Sequence, residues 1–327
     1  MNKAVRFYEY GGADVLKYED HDIGAPGEGQ IRLKQTAVGL NFIDVYHRTG
    51  LYPQASLPSG IGLEAAGVIE EIGPGVTDLH IGDRVAYGTG PIGSYAEHRI
   101  IPADKVILIP ERISDNHAAS MMLQGMTTEY LIRRTYCVQP GDTVLFHAAA
   151  GGVGSIATQW LNSLGATVIG TVGSEEKAAL AKSNGCHHTI NYKTDDFVDQ
   201  VKDITDGKGV NVVYDSVGKD TFMGSLDCLK VRGTMVTFGN ASGPVPAIEP
   251  LILNGKGGLY LTRPSLAHYC GTHEDMVASA TSLFNAVSSG SIKIEVKQSY
   301  ALSEIQKAHQ DLEARKTTGS TILIPDH

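Results

Sequence analysis

The residues best suited to chemistry stand between Thr143 and Gly154. There Thr143-Val144-Leu145-Phe146-His147-Ala148-Ala149-Ala150-Gly151-Gly152-Val153-Gly154 carries an apolar strand into a glycine turn, and a helical pattern follows. Glycines let backbone approach a pyrophosphate, while the N–H groups and dipole at a helix N-terminus favour its negative charge. Gly151, Gly152, Val153 and Gly154 are therefore candidate cofactor contacts. Ala149 stands where the first glycine of G-x-G-x-x-G would be, so the strand-turn-helix context carries more weight than the bare spacing. Val153, Ile156, Ala157, Trp160, Leu161 and Leu164 share one helical face, as in a helix packed on a sheet.

The next strand ends in Ile169-Gly170-Thr171-Val172-Gly173-Ser174. A site for NAD would place an acidic residue there to hold the ribose hydroxyls. Gly173 and Ser174 instead leave room for a 2′-phosphate, with Lys177 one helical turn on as a point charge and Tyr192 after the third strand as a donor. NADPH is thus expected ahead of NADH, provided that Glu175 and Glu176 point away. Ligands sit outside the carboxyl ends of parallel strands. Asp215-Ser216-Val217-Gly218 and Phe238-Gly239-Asn240 fall there too, so Ser216, Val217, Phe238 and Gly239 join the candidates through their backbone. Asp215 and Asn240 read equally well as turn-makers.

These turns need a parallel sheet to hold them. Candidate strands are Thr143 to His147, Thr167 to Val172, His188 to Ile190, Val210 to Asp215 and Thr234 to Phe238, with an edge at Gly258 to Thr262. Helical patterns alternate with them, the signature of crossover connections. Before this, from Lys3 to about Pro110, short strands such as Gln30 to Val38 and Ala66 to Ile72 alternate with Gly and Pro signals. A helical spacing covers Asn116 to Arg134 after the plausible N-cap Ser114, and another covers Ser303 to Arg315. With 327 residues, two domains are expected at roughly 150 residues each.

The turn, together with Gly39-Leu40-Asn41-Phe42-Ile43-Asp44, Gly50-Leu51-Tyr52-Pro53 and Leu57-Pro58, resembles the medium-chain dehydrogenase/reductase superfamily. Within it the chain is similar to the NADPH-dependent, zeta-crystallin-like quinone oxidoreductases, although Asn162 stands where that family usually has Lys or Arg. The resemblance implies an α/β architecture: a doubly wound Rossmann domain over 121–264 and a GroES-like, mainly β catalytic domain from 1–120 and 265–327. It also implies a homodimer joined through the Rossmann sheets. Lys177 and Tyr192 match positions that contact the 2′-phosphate, Arg263 and Pro264 a segment on the nicotinamide side, and Thr127 a nicotinamide contact.

Zinc enzymes of the superfamily hold their metal with Cys and His. The corresponding segments here read Gly39-Leu40-Asn41 and Gly62-Leu63-Glu64, and Gly88 to Ser94 has no cysteine cluster, so no metal is expected. Cys137, Cys186, Cys228 and Cys270 lack paired spacing and read as reduced thiols. Without a Lewis acid the acceptor should take hydride readily, as a quinone or a conjugated carbonyl does. Asn41, Tyr46 and Tyr52, beside the segment similar to the family's active-site floor, are the candidate catalytic donors for the developing oxyanion, Asn41 also touching cofactor.

A quinone reductase is the leading reading. The alternatives are an enone or enoyl reductase on the same fold, or a non-catalytic NADPH-gated protein that senses or binds RNA. The net charge of −9 repels nucleic acid on average and argues against RNA. With 42% hydrophobic residues the chain is globular, and with no long apolar run it is expected to be a cytoplasmic protein with no membrane span.

Overall fold

The computed structural model describes residues 2–326 and contains two compact units. One holds the chain up to Met126 with Cys270–Phe284 and Ile294 onward; the other holds Thr127–Tyr269 and Asn285–Lys293.

The first unit opens with β1 (Lys3–Phe7), β2 (Lys17–Asp20), β3 (Gln30–Leu40), β4 (Ser59–Gly60), β5 (Ala65–Ile72), β6 (Arg84–Tyr87), β7 (His98–Pro102) and β8 (Ile107–Leu108). Along β3 the side chains alternate between half-buried Gln30, Arg32 and Lys34 and buried Ile31 and Leu33. From Ala37 to Leu40 every residue is buried. Ile31, Leu33 and Val38 join Val5, Phe7, Ile69, Val85 and Ile101 in the core of this unit.

Helix α1 (Phe42–Thr49) lies between β3 and β4, and α2 (Asp115–Ala119) and α3 (Met122–Tyr130) follow β8, with a π-helical turn at Leu131–Thr135. Ser114 caps α2 as its type suggests, accepting from the His117 N–H at 3.3 Å. The helix expected to run unbroken from Asn116 to Arg134 is interrupted after Ala119. The cause is a buried carboxylate: the Leu123 N–H, which a continuous helix would give to the Ala119 carbonyl, donates instead to Glu64 Oε1 at 2.8 Å.

The second unit is built on β9 (Thr143–Phe146), β10 (Thr167–Val172), β11 (His188–Asn191), β12 (Val210–Asp215), β13 (Leu229–Thr237) and β14 (Tyr260–Thr262). All pairings are parallel, in the order β11-β10-β9-β12-β13-β14. Counted from β9 this is the 3-2-1-4-5-6 order of the Rossmann fold. The crossover and flanking helices are α4 (Gly152–Ser163), α5 (Glu175–Ser183), α6 (Phe197–Ile204), α7 (Phe222–Asp227), α8 (Leu251–Gly255) and α9 (Leu266–Tyr269), followed by α10 (His273–Ser288). β13 starts at Leu229 rather than at Thr234. Its register on β12 is irregular between the Val210–Leu229 and Val212–Thr234 pairs, and Lys230, Val231 and Arg232 of that stretch are exposed.

The chain then completes the first unit with β15 (Val296–Ala301), α11 (Ile305–Glu313) and β16 (Ser320–Ile324). The larger sheet there runs β15-β16-β3-β5-β6-β8 with β7 also on β3, beside a smaller β2-β1-β4 sheet. Among the described residues no helix is long and apolar enough to cross a membrane. The cysteines form no disulfide, and burial pushes the Cys186 and Cys228 thiols up to about 12.

Candidate active site

In the second unit β9 ends at Phe146 and the chain turns through Ala148, a non-glycine residue with φ of 55°. Gly151 is the N-cap of α4 and offers no side chain to the first-turn N–H groups, which are left for a ligand. A Cβ on Gly154 would lie 2.4 Å from the Ala148 carbonyl oxygen, so the third glycine permits helix and turn to meet. Where Ala149 replaces the first glycine, Gly170 of β10 makes the room: a Cβ there would be 2.6 Å from that of Ala149.

At the end of β10 the expected group comes together. A Cβ on Gly173 would lie 2.5 Å from the Tyr192 hydroxyl, and Ser174 caps α5 by accepting the Lys177 N–H at 3.3 Å. Lys177 is half-buried, whereas Glu175 and Glu176 are exposed. The ends of β12 and β13 also meet. A Cβ on Gly239 would be 2.4 Å from the Ser216 carbonyl oxygen, the Phe238 N–H reaches the Asp215 carbonyl at 2.8 Å, and the Val217 carbonyl accepts from Ser242. Thr127 stands instead on α3, and Arg263 and Pro264 follow β14, two strands out from β12. This cradle of close backbone approaches fits a dinucleotide.

In the first unit Asn41 is the N-cap of α1 and is buried. Its side chain does not cap the helix but donates from Nδ2 to Glu64 Oε2 at 2.7 Å and accepts at Oδ1 from Gln124 Nε2 at 3.0 Å. Ser320 holds Gln124 in turn, at 2.8 Å. The amide of Asn41 keeps one more N–H to give. The Asn41 backbone N–H goes to Asp44 Oδ2 at 2.9 Å, and the Tyr95 hydroxyl donates to the same oxygen at 2.7 Å. Burial pushes Glu64 up to about 8 and Asp44 up to about 7, against the lowering effect of the hydrogen bonds each accepts. Tyr46 and Tyr52 are neighbours, their rings edge-on at 5.2 Å and the Tyr52 N–H on the Tyr46 carbonyl at 3.0 Å.

Family patterns match both units: "Alcohol dehydrogenase GroES-like domain" over residues 27–111 and "Zinc-binding dehydrogenase" over 152–284. A quinone oxidoreductase of Pseudomonas aeruginosa is 50% identical, the match covering 99% of this chain and all of that protein. The crystal structure of Escherichia coli quinone oxidoreductase complexed with NADPH superposes with a TM-score of 0.97 at 48% identity, over 99% of this chain and all of the other. The chain belongs to the quinone oxidoreductase family. A 2-haloacrylate reductase of Burkholderia is also similar, 46% identical over 99% of both chains.

Among quinone oxidoreductases of the medium-chain superfamily, this chain's residues do not fit a catalytic zinc ion. Asn41 and Leu63 stand in the two ligand segments, and the Asn41 amide is engaged by Glu64 and Gln124. Sequence reasoning did not single out Gln124, Ser320, Asp44 or Tyr95. Gln124, a polar residue buried on an otherwise apolar stretch of helix, was the one signal available. The others become visible only when Ser320 of β16 meets Gln124 on α3 and the Tyr95 loop meets Asp44 on α1.

Proposed function

We propose that this chain is an NADPH-dependent quinone oxidoreductase that works without zinc. The observation that carries the cofactor choice is the end of β10, where the strand runs out into Gly173 and Ser174 rather than an acidic residue, with Tyr192 against Gly173 and Ser174 capping the helix that bears Lys177. The names of its relatives support a quinone as acceptor.

NADPH, when bound, supplies a hydride from its nicotinamide. The N–H groups of Gly152, Val153 and Gly154 would hold the pyrophosphate, with Gly151, whose own N–H goes to the Ala148 carbonyl, leaving the turn open to it, and Gly173, Ser174, Lys177 and Tyr192 would hold the 2′-phosphate. Backbone at Ser216, Val217, Phe238 and Gly239 supports the cofactor, and Thr127, Arg263, Pro264 and Asn41 serve its nicotinamide side. Asn41, Tyr46 and Tyr52 orient the acceptor and donate to the oxygen on which charge develops. A tyrosine hydroxyl does so without bearing charge, and the matching proton comes from water or one of these hydroxyls. The chain's contribution is proximity and a dry, donor-lined surface. We also read the protein as a cytoplasmic homodimer joined through its Rossmann sheets, and its domains as 1–120 with 265–327 and 121–264.

The similarity to 2-haloacrylate reductase supports a second reading, reduction of an electron-poor C=C bond. Oxidation of NADPH and NADH, measured with chelator present against benzoquinone and a conjugated enone, separates the two. A chelator-resistant, quinone-dependent rate with NADPH preferred is expected. Turnover of the enone alone selects the second reading, and tight NADPH binding without turnover leaves a sensing role.

A further inference from the structure

His147 follows β9 immediately, one residue before the left-handed Ala148. Its ring is buried, edge-on to Phe197 at 5.1 Å, and pinned at both nitrogens. Nδ1 lies 3.0 Å from Thr171 Oγ1 of β10, and Nε2 lies 2.9 Å from Ser225 Oγ of α7. Either ring nitrogen could carry the proton, and the Thr171 hydroxyl, whose one acceptor among the described bonds is Nδ1, decides between them. The single hydroxyl proton of Ser225 has its nearer acceptor in the Thr221 carbonyl at 2.8 Å, with Asp215 Oδ2 at 3.4 Å. Ser225 Oγ therefore accepts from His147, which places the ring proton on Nε2 and leaves Nδ1 to accept from Thr171. Burial lowers the pKa of His147, against the opposing charge of Asp215, and keeps the ring neutral.

The two ends of this chain are backbone. Thr171 Oγ1 accepts the Ala148 N–H at 3.4 Å. At the other end Thr221 donates to Asp215 Oδ2 at 2.8 Å, and Asp215 Oδ1 accepts the N–H groups of Val217 at 2.7 Å and Gly218 at 3.0 Å. Thr171, His147, Ser225 and Asp215 are all buried, so each lost bond would leave a polar group without water to replace it.

We propose that this buried hydrogen-bonded chain couples the glycine turn after β9 to the loop after β12, with His147, Thr171 and Ser225 as positioning residues for the dinucleotide. The part played by the dinucleotide rests on the function proposed above; the coupling does not. The chain holds Ala148 in its unusual conformation from one side and the Ser216–Gly218 backbone from the other, so that displacing either loop disturbs both.

Hydrogen exchange on the cofactor-free protein tests the coupling, and NADPH titration on the same samples tests its use. Thr171→Val keeps the side chain's shape and removes the hydroxyl, Thr171→Ser does the reverse, and Ser225→Ala breaks the chain beyond His147. In folded Thr171→Val and Ser225→Ala, amide exchange should quicken at both 148–154 and 217–218, and the NADPH Kd should rise about three- to tenfold, the scale of one lost hydrogen bond. Thr171→Ser should stay close to the unaltered protein. Unchanged exchange at 148–154 in Ser225→Ala overturns the coupling, as does a Thr171→Ser variant as disturbed as Thr171→Val. Exchange that spreads while Kd stays fixed overturns the positioning role. Exchange that spreads in a protein whose unaltered form does not bind NADPH supports the coupling and removes the cofactor reading instead.

Discussion

Lys177 sits half-buried in the first turn of α5, whose cap Ser174 follows the Gly173–Tyr192 contact. A charge-assisted bond to a phosphate is worth about 1.5–3 kcal/mol. Lys177→Ala should therefore weaken NADPH roughly 10- to 100-fold and leave NADH nearly unchanged; equal losses in paired titrations would remove Lys177 from the phosphate site. Glu64 and Asp44 make a second prediction, about pH. Both carboxyls titrate higher in the folded protein than in the unfolded chain, about 8 and about 7 against ordinary values of 4.5 and 3.8. Their contribution to stability is thus complete below about pH 4 and is lost as pH rises through 7 and 8. His47 and His309, lowered by burial to about 4 and about 3, act oppositely, contributing above 6.5 and losing it as pH falls. Between pH 6.5 and 8 only the carboxyl effect remains among these four, so Tm should fall across that window. Glu64→Gln should flatten the fall while lowering Tm throughout, since a Gln amide meets the donors of Asn41 and Leu123 less well than a carboxyl does.

At the scale of the element, the turn before α4 separates two kinds of glycine. Gly154 meets the Ala148 and Ala149 backbone, which cannot swing away as a flexible side chain would. Gly154→Ala should cost about 1–3 kcal/mol of stability, the range for overpacking a tight contact, and denaturant unfolding measures it. Gly151 has extended backbone open to any residue, and a Cβ there meets only the Ala148 oxygen, at 3.2 Å. Gly151→Ala should unfold near the unaltered midpoint yet bind NADPH less tightly, because the added methyl stands where phosphate must approach. The same contrast explains what was legible in the sequence. β10 and β12 have the bounds that their apolar runs suggest, because a strand buried on both faces writes its pattern locally. The break between α2 and α3 was not legible, because its cause, Glu64, lies on a loop far back in the chain. Nor was the early start of β13, where Lys230, Val231 and Arg232 face outward and read as a turn. The residues of the β10 corner could be picked out from strand-end logic, whereas Gln124 and Thr171 depend on partners that only tertiary packing supplies.

For the whole molecule, charge and edges decide which partners remain. A net charge of −9 gives RNA no general attraction, so a labelled RNA should show no shift at physiological salt. The Rossmann sheet, by contrast, ends on β14, a three-residue strand with Tyr260 63% exposed and Leu261 37% exposed. An uncovered sheet edge with apolar side chains invites pairing with another strand. A two-fold partner would present the same edge antiparallel to it, closing the pair and leaving no further edge to grow on that side. The homodimer proposed above would therefore have its seam at β14. Sedimentation of the unaltered protein should give the mass of two chains. Leu261→Lys, which charges the seam while leaving β9 to β12 untouched, should shift the protein toward single chains as it is diluted. A variant that stays dimeric at every dilution moves the seam elsewhere, and an unaltered protein that sediments as one chain at all concentrations ends the dimer expectation.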